Sequence, residues 1–302
     1  MITLDFVFSG MNTFSLVRFI LWSIFLFISL FLVANDGKSL RILTYNVWYG
    51  FTKKADRKSD WLRYVHSLQS DIVALQELNG YTEEKLAADG KFWGHMHSAL
   101  LKRDGFPTGI TSRYPIENIR RVTEGYHHGM LSCKTGGIQV YVIHLHPGHW
   151  EIRHQEIDLL LTTVASHQVK EPVLLIGDFN TFSEMDLAQY QQTPDMIPFF
   201  RRLDIRWKRN RNLRNDRLDY SHLQKIKRAG YRDLIAERRT EFHGTFPTKL
   251  RLGEDNGPSR RLDYIFANKY LVDKCIKARY LINSKTDILS DHYPAIAEFE
   301  IE

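Results

Sequence analysis

Asp178 and Asn180 stand two positions apart where the apolar run Val173 to Ile176 gives way to Gly177, within PVLLIGDFNTFSE. A carboxylate there can accept a proton or hold a water, and a neutral carboxamide can donate hydrogen bonds to an anion without repelling it. If the extended chain persists past Gly177, the two project to one side. The plain alternative is a strand-ending turn, since Gly, Asp and Asn are ordinary turn residues. Repetition argues for chemistry instead. Asn46 closes LRILTYN, Glu77 closes DIVALQE and His144 falls near the end of GIQVYVIHLH. Further on come Asp263 in RRLDYIF and Asp291 and His292 in DILSDHYPAI. Polar side chains gathered at strand ends converge on a crevice, where α/β sheets bind ligands.

The residue types divide into jobs. A hard divalent cation such as Mg2+ takes oxygen ligands: one or two carboxylates, waters and substrate phosphate. Glu77 and the Asn46 amide oxygen fit that, with Asp291 joined through water. A phosphate under attack gathers negative charge, which Asn180, His144 and His292 can meet as donors. Asp178 is the candidate to orient the attacking water and take its proton. Asp263 is the carboxylate that would hold His292 cationic. The set makes sense as phosphoester hydrolysis. His127 and His128 in GYHHGML are candidate substrate contacts, as are Trp48 and Phe246, which can stack on bases or touch lipid.

These residues need strands to carry them. LRILTYN, DIVALQE, HSALLK, GITSR, ENIRRVT, GMLSCK, GIQVYVIHLH, PVLLIGD, RLDYIFAN, CIKARYLI and AIAEFEI read as strands. Helices are expected over 59–68, from a Thr82 cap to a stop at Gly90, over 149–168 and near 220–229. In the third, Ile157, Leu160, Leu161 and Val164 share one face. Strands and helices are mixed throughout, with hairpin-like neighbours, so a layered α/β fold with mixed sheets follows. No Pro/Gly-rich linker divides residues 40–302, which read as one domain.

The chain has 302 residues and a formal net charge of +6, which favours anionic partners. Arg201 to Arg217, RRLDIRWKRNRNLRNDR, holds much of the excess and reads as a solvated basic face or a phosphate-attracting surface. Residues 19–34, FILWSIFLFISLFLVA, are free of charge, with Arg18 just before them. Residues 1–34 therefore read as a signal peptide or a short membrane anchor, and the protein as secreted or periplasmic, or tethered by that segment. Only Cys133 and Cys275 occur, and export would permit a disulfide between them.

TYNVW, DIVALQE, VIHLH, GDFNT, RLDYIF and SDHYP stand in the order and approximate spacing of the endonuclease/exonuclease/phosphatase superfamily, which the chain resembles over about residues 40–302. GITSRYPI is similar to that family's segment between the second and third catalytic strands. The resemblance implies a four-layer α/β sandwich, with two mixed β-sheets packed face to face and flanked by helices. It also implies a Mg2+-dependent phosphodiesterase or phosphatase, with Mn2+ as a substitute ion. Asn46 and Glu77 would sit at the metal, Asp178 with the water, Asn180, His144 and His292 at the phosphate, and Asp263 behind His292.

A phosphodiesterase or nuclease is the first expectation, and a lipid or small-molecule phosphoesterase the second. The expected partner is a phosphoester substrate, nucleic acid among the options. No stable protein partner is implied, and membrane contact is expected only through the N-terminal segment. Two remoter readings compete. HLHPGH places His144, His146 and His149 at the spacing of a zinc-binding HxHxDH motif, although Gly148 stands where its Asp would be. A catalytically silent binding module would keep the fold and lose the chemistry.

Overall fold

The structure, a computed structural model, describes residues 39–166 and 170–301, so the proposed leader at 1–34 lies outside the described residues. Twelve strands, numbered along the chain, form two six-stranded sheets. The first runs in the order β11 (Cys275–Tyr280), β12 (Ala295–Glu300), β1 (Ser39–Asn46), β2 (Ile72–Gln76), β4 (Gly109–Ser112) and β3 (His97–Leu100). The second runs β5 (Glu117–Val122), β6 (Met130–Thr135), β7 (Ile138–His144), β8 (Val173–Asp178), β10 (Asp263–Ala267) and β9 (Arg232–Asp233). β1 with β2, and β7 with β8, pair in parallel; β8 with β10 and β6 with β7 are antiparallel.

Alternation along the strands assigns the layers. Ile42, Ile72 and Ala74 from the first sheet pack in one core with Val140, Val142, Leu174, Ile176 and Ile265 from the second. Their odd-numbered neighbours Leu43, Val73 and Leu75 face outwards onto Trp61 and Val65 of α1 (Lys58–Leu68) and Leu86 of α2 (Glu83–Phe92). On the other side Ile143, Val173, Leu175 and Tyr264 face Ile157 and Leu160 of α3 (Trp150–Ser166) and Leu223 and Ile226 of α6 (Ser221–Arg228). Strands buried on both faces need apolar residues at successive positions, which is why these runs read as continuous rather than alternating. The outcome is the expected four-layer α/β/β/α sandwich.

Local expectations fared unevenly. Thr82 does cap α2, its hydroxyl accepting from the Lys85 amide at 3.2 Å. Gly90 does not end that helix, which continues to Phe92. A Cβ at Gly90 would stand 3.2 Å from the Thr111 methyl, so this glycine lets helix and strand approach closely. The stretch Arg201 to Arg217 is not a plain surface face either. Its first half belongs to α5 (Met196–Arg206), which follows the short α4 (Leu187–Gln191) and buries Met196, Phe199 and Phe200. Arg201 and Arg202 pair with Asp216 and Asp195, and Arg211 with Glu151 at 3.4 Å, which neutralises part of the charge. Cys133 and Cys275 are both buried, free thiols in different sheets. Among the described residues, no helix is long and apolar enough to cross a membrane.

Candidate active site

Strand register brings the polar ends together. His144 pairs with Asp178 across β7 and β8, and Asp178 with Asp263 across β8 and β10. Asn46 pairs with Gln76, one residue before Glu77. Asn46, His144, Asp178 and Asp263 each continue the parity of the inward-facing apolar residues, so all four point between the sheets at one end of the sandwich. Gly177 is a requirement of this arrangement. A Cβ there would meet the Ile143 carbonyl oxygen at 2.0 Å, and its φ of 134° suits glycine.

Asp178 is buried and held from both sides. Its Oδ2 accepts from Asn46 Nδ2 at 3.1 Å, and its Oδ1 accepts from the Asn180 backbone N–H at 2.9 Å. That second bond closes a turn with φ of 47° at Asn180. The extended chain therefore does not persist to Asn180, and the alternation argument fails there; the turn carries Asn180 into the site instead. Asn180 Nδ2 donates one hydrogen to the Leu145 carbonyl at 3.0 Å. Burial raises the Asp178 carboxyl above the usual carboxylate range, His292 pulls it down and Asp263 pushes it up again.

His292 is the cation of the site. Its Nδ1 donates to Asp263 Oδ2 at 2.8 Å, and its Nε2 stands 3.8 Å from Asp178 Oδ2. Burial works against the charge, but Asp263, Asp178 and Asp291 overcome it and raise the imidazole to about 10. His144 is the opposite case. Its Nε2 lies 3.6 Å from Asp178 Oδ2, yet burial and the His292 charge lower it to about 3, and its buried Nδ1 has no partner among the described residues.

Glu77, just past β2, has φ of 58°, and its carboxylate accepts from Asn46 Nδ2 at 3.1 Å and from the Tyr49 N–H at 2.9 Å. Burial and the Asp291 charge both raise its carboxyl. Asp291 is raised by burial too; Arg251 Nη1 reaches its Oδ2 at 3.4 Å, while its buried Oδ1 is unpartnered among the described residues. A half-buried carboxylate beside a buried one with an orphaned oxygen fits a hard divalent cation. The Asn46 carboxamide presents its nitrogen to Glu77 and Asp178, its oxygen accepting from the Trp48 N–H at 3.0 Å.

These groups open into a cleft of about 490 Å3. All the remaining expected contacts, Trp48, His127, His128 and Phe246, line it. His128 stacks on His144 with ring centres 4.0 Å apart, and Phe246 lies 4.9 Å from the His292 ring. The zinc alternative does not assemble. Among the described residues, His144, His146 and His149 do not form a group with ligand atoms within 4.8 Å of one another, and His146 Nδ1 accepts from the Gly148 N–H.

Sequence reasoning missed the arginines. Arg57 donates from Nη2 to the Val47 and Trp48 carbonyls and so fixes the loop after Asn46. Arg153 donates from Nη1 to the His146 carbonyl, while Glu156 accepts the His127 and His146 N–H groups, each at 2.8 Å. Arg153, Glu156, Ile157 and Leu160 are the buried positions of α3. Charged residues on the stripe a helix buries were the signal that could have found this clamp.

A model of the endonuclease/exonuclease/phosphatase family matches residues 43–292. Solved structures similar in fold include an AP endonuclease from Archaeoglobus fulgidus at 20% identity and TM-score 0.64. A variant of the 3′ phosphatase NExo from Neisseria, bound to a product DNA hairpin, aligns at 18% identity and TM-score 0.63. The 3′-5′ exonuclease NExo from Neisseria meningitidis aligns at 17% and 0.63. Each alignment covers 87% of this chain and 100% of the other. A sequence search of curated proteins returns no match.

Proposed function

The chain belongs to the endonuclease/exonuclease/phosphatase family of phosphoester hydrolases, and from that premise we propose a Mg2+-dependent phosphodiesterase whose first substrate class is nucleic acid. The meeting of Glu77, Asp178, Asp291 and His292 on one cleft, with Asp263 behind His292, carries this reading. A nucleic-acid substrate is supported by the cleft aromatics, by Arg209 on its wall and by the DNA named with a similar fold.

Asp178, fixed by the Asn46 and Asn180 donors, takes a proton from the attacking water. The water oxygen bonds to phosphorus as the P–O bond to the leaving group breaks on the far side. Nε2–H of His292 and the second Nδ2 hydrogen of Asn180 donate to the phosphoryl oxygens, where charge accumulates. Asp263 keeps His292 protonated and aimed. His144, held neutral, adds a donor without another cation. Glu77 and Asp291 would hold the Mg2+; Asn46 would join them only by turning its carboxamide over, which would leave Asp178 held by the Asn180 donor alone. When bound, the ion would polarise a phosphoryl oxygen and offset charge on the leaving oxygen.

The test is EDTA-stripped protein with Mg2+, Mn2+ or Zn2+ restored, assayed on bis(p-nitrophenyl) phosphate, DNA, RNA, sphingomyelin and sugar phosphates. Mg2+-restored turnover, with nucleic acid preferred and its binding weakened by salt, is expected. Restoration by Zn2+ alone, or no turnover of any ester, overturns the reading. A lipid ester is the second reading, favoured by exposed Ile205 and Trp207 at the end of α5, beside the cleft; preference for sphingomyelin would select it. Export is part of the proposal and rests on the apolar run at 19–34. A reporter fused after residue 39 and retained in the cytoplasm would contradict it.

A further inference from the structure

Arg260 and Arg261 are neighbours with opposite circumstances. Arg261 is fully buried and paired with Asp186 at 2.8 Å and with Asp233. Arg260 is only 7% exposed, yet among the described residues no carboxylate lies within 4.0 Å of it. Rings surround it instead: its guanidinium carbon stands 4.6 Å from the centre of Phe246, 5.2 Å from Phe199 and 5.3 Å from Phe200. Nη1 donates to the Asn256 carbonyl at 2.7 Å and the Pro258 carbonyl at 2.9 Å, which anchors one corner of the fork. Nε and Nη2 make no hydrogen bond among the described residues, and the residue lines the cleft.

A buried cation with no carboxylate in contact, only the more distant Asp178 and Asp291, is costly, and it is kept where an anion arrives to complete it. Stacking on aromatic faces leaves the edge of a guanidinium free, and that edge matches two oxygens of a phosphate. Phe246 packs against both Arg260 and His292, its ring centre 4.6 Å from the one and 4.9 Å from the other. We infer that Arg260 receives a second phosphate of the substrate, neighbouring the one that is cleaved. The inference rests on the phosphodiesterase reading and narrows its substrates to esters carrying two phosphates. Burial lowers the guanidinium to about 10, opposed by Tyr190, Asp178 and Asp291, so it stays charged at neutral pH.

The experiment compares kcat/KM for thymidine 5′-(p-nitrophenyl phosphate) with and without a 3′-phosphate. The same comparison is made for thymidine 3′-(p-nitrophenyl phosphate) with and without a 5′-phosphate. The wild-type protein is expected to prefer the doubly phosphorylated ester of one pair by roughly 10- to 100-fold, the range for a charge-assisted pair. R260Q is expected to abolish that preference and R260K to retain part of it, since Lys keeps the charge without the fork. No wild-type preference in either pair overturns the inference even if R260Q fails to fold, as does a preference that survives in R260Q. Turnover of bis(p-nitrophenyl) phosphate with equal rates in both pairs removes this inference alone. Turnover of none of the esters removes the phosphodiesterase reading and this inference with it.

Discussion

Two clusters of His and Asp occur among the described residues, Asp178–Asp263–His292 and His154–Asp219–His222, each with its ligand atoms within 4.8 Å of one another. Their chemistry is opposite. In the first, His292 faces Asp263, Asp178 and Asp291, and the ring stays cationic despite burial. In the second, His222 Nε2 donates to the Trp150 carbonyl at 2.8 Å and its Nδ1 accepts from the Thr181 hydroxyl at 3.1 Å. Burial and the nearby Arg153 hold that ring down to about 4. His154 Nε2 meets both Asp219 Oδ2 and the Ser221 hydroxyl, at 3.1 and 2.8 Å. The first cluster ends in groups that face the cleft. The second is bonded within the fold through His154 Nε2 and both His222 nitrogens, and it ties α3 and α6 to the segment after Asn180. Residue types alone do not separate a site from a brace; the partners of each nitrogen do.

The strongest way to break that contrast is to remove His292. H292A is expected to lower kcat by roughly three orders of magnitude, the range for loss of a positioned acid or donor. D263N should cost less, about 10- to 100-fold, and move the basic limb of the pH–rate profile to lower pH, because the imidazolium loses its nearest carboxylate. An unmoved limb would detach Asp263 from the protonation of His292. E77Q should raise the Mg2+ concentration for half-maximal turnover by at least about 10- to 100-fold; an unchanged value would exclude Glu77 as a ligand.

On the other cluster, H222Q should act on the fold. A loss of about 1–3 kcal/mol in denaturant unfolding is expected for its buried partners, with kcat changed by less than roughly tenfold. A catalytic collapse with unchanged stability would reverse the roles. The last effect, spread over pH, is the pH dependence of stability. Burial holds both His95 and His222 at about 4. Their folded values lie below the unfolded value near 6.5, so their contribution is full above that pH and is lost as pH falls towards 4. Each should remove up to about 1.4 kcal/mol per pH unit in that window. Between pH 7 and 4.5 the wild type should therefore lose more stability than H222Q, and equal losses in the two would contradict it.

Much of the site was legible because strand-end polarity is a local signal: Asn46, Glu77, His144 and Asp178 each interrupt an apolar run where the register later aligns them. A layered α/β fold with mixed sheets followed from the same runs, and the count of four layers from the family resemblance. Asn180 was legible as a participant but not in its geometry, which depends on a turn closed by the side chain of Asp178. α5 was hidden beneath a dense run of arginines whose apolar face, Met196, Phe199 and Phe200, begins before that run. Arg260 was illegible for another reason. Its meaning lies in what surrounds it, and only packing shows that Arg261 meets carboxylates while Arg260 meets rings.

The most direct measurement is kcat on bis(p-nitrophenyl) phosphate with Mg2+ for D178N beside D219N, with folding of both checked by circular dichroism. A loss of roughly a thousandfold or more in D178N, against less than about tenfold in D219N, is the predicted result. Equal losses, or a D178N enzyme near the wild-type rate, would contradict the assignment of the cleft cluster as the reaction centre.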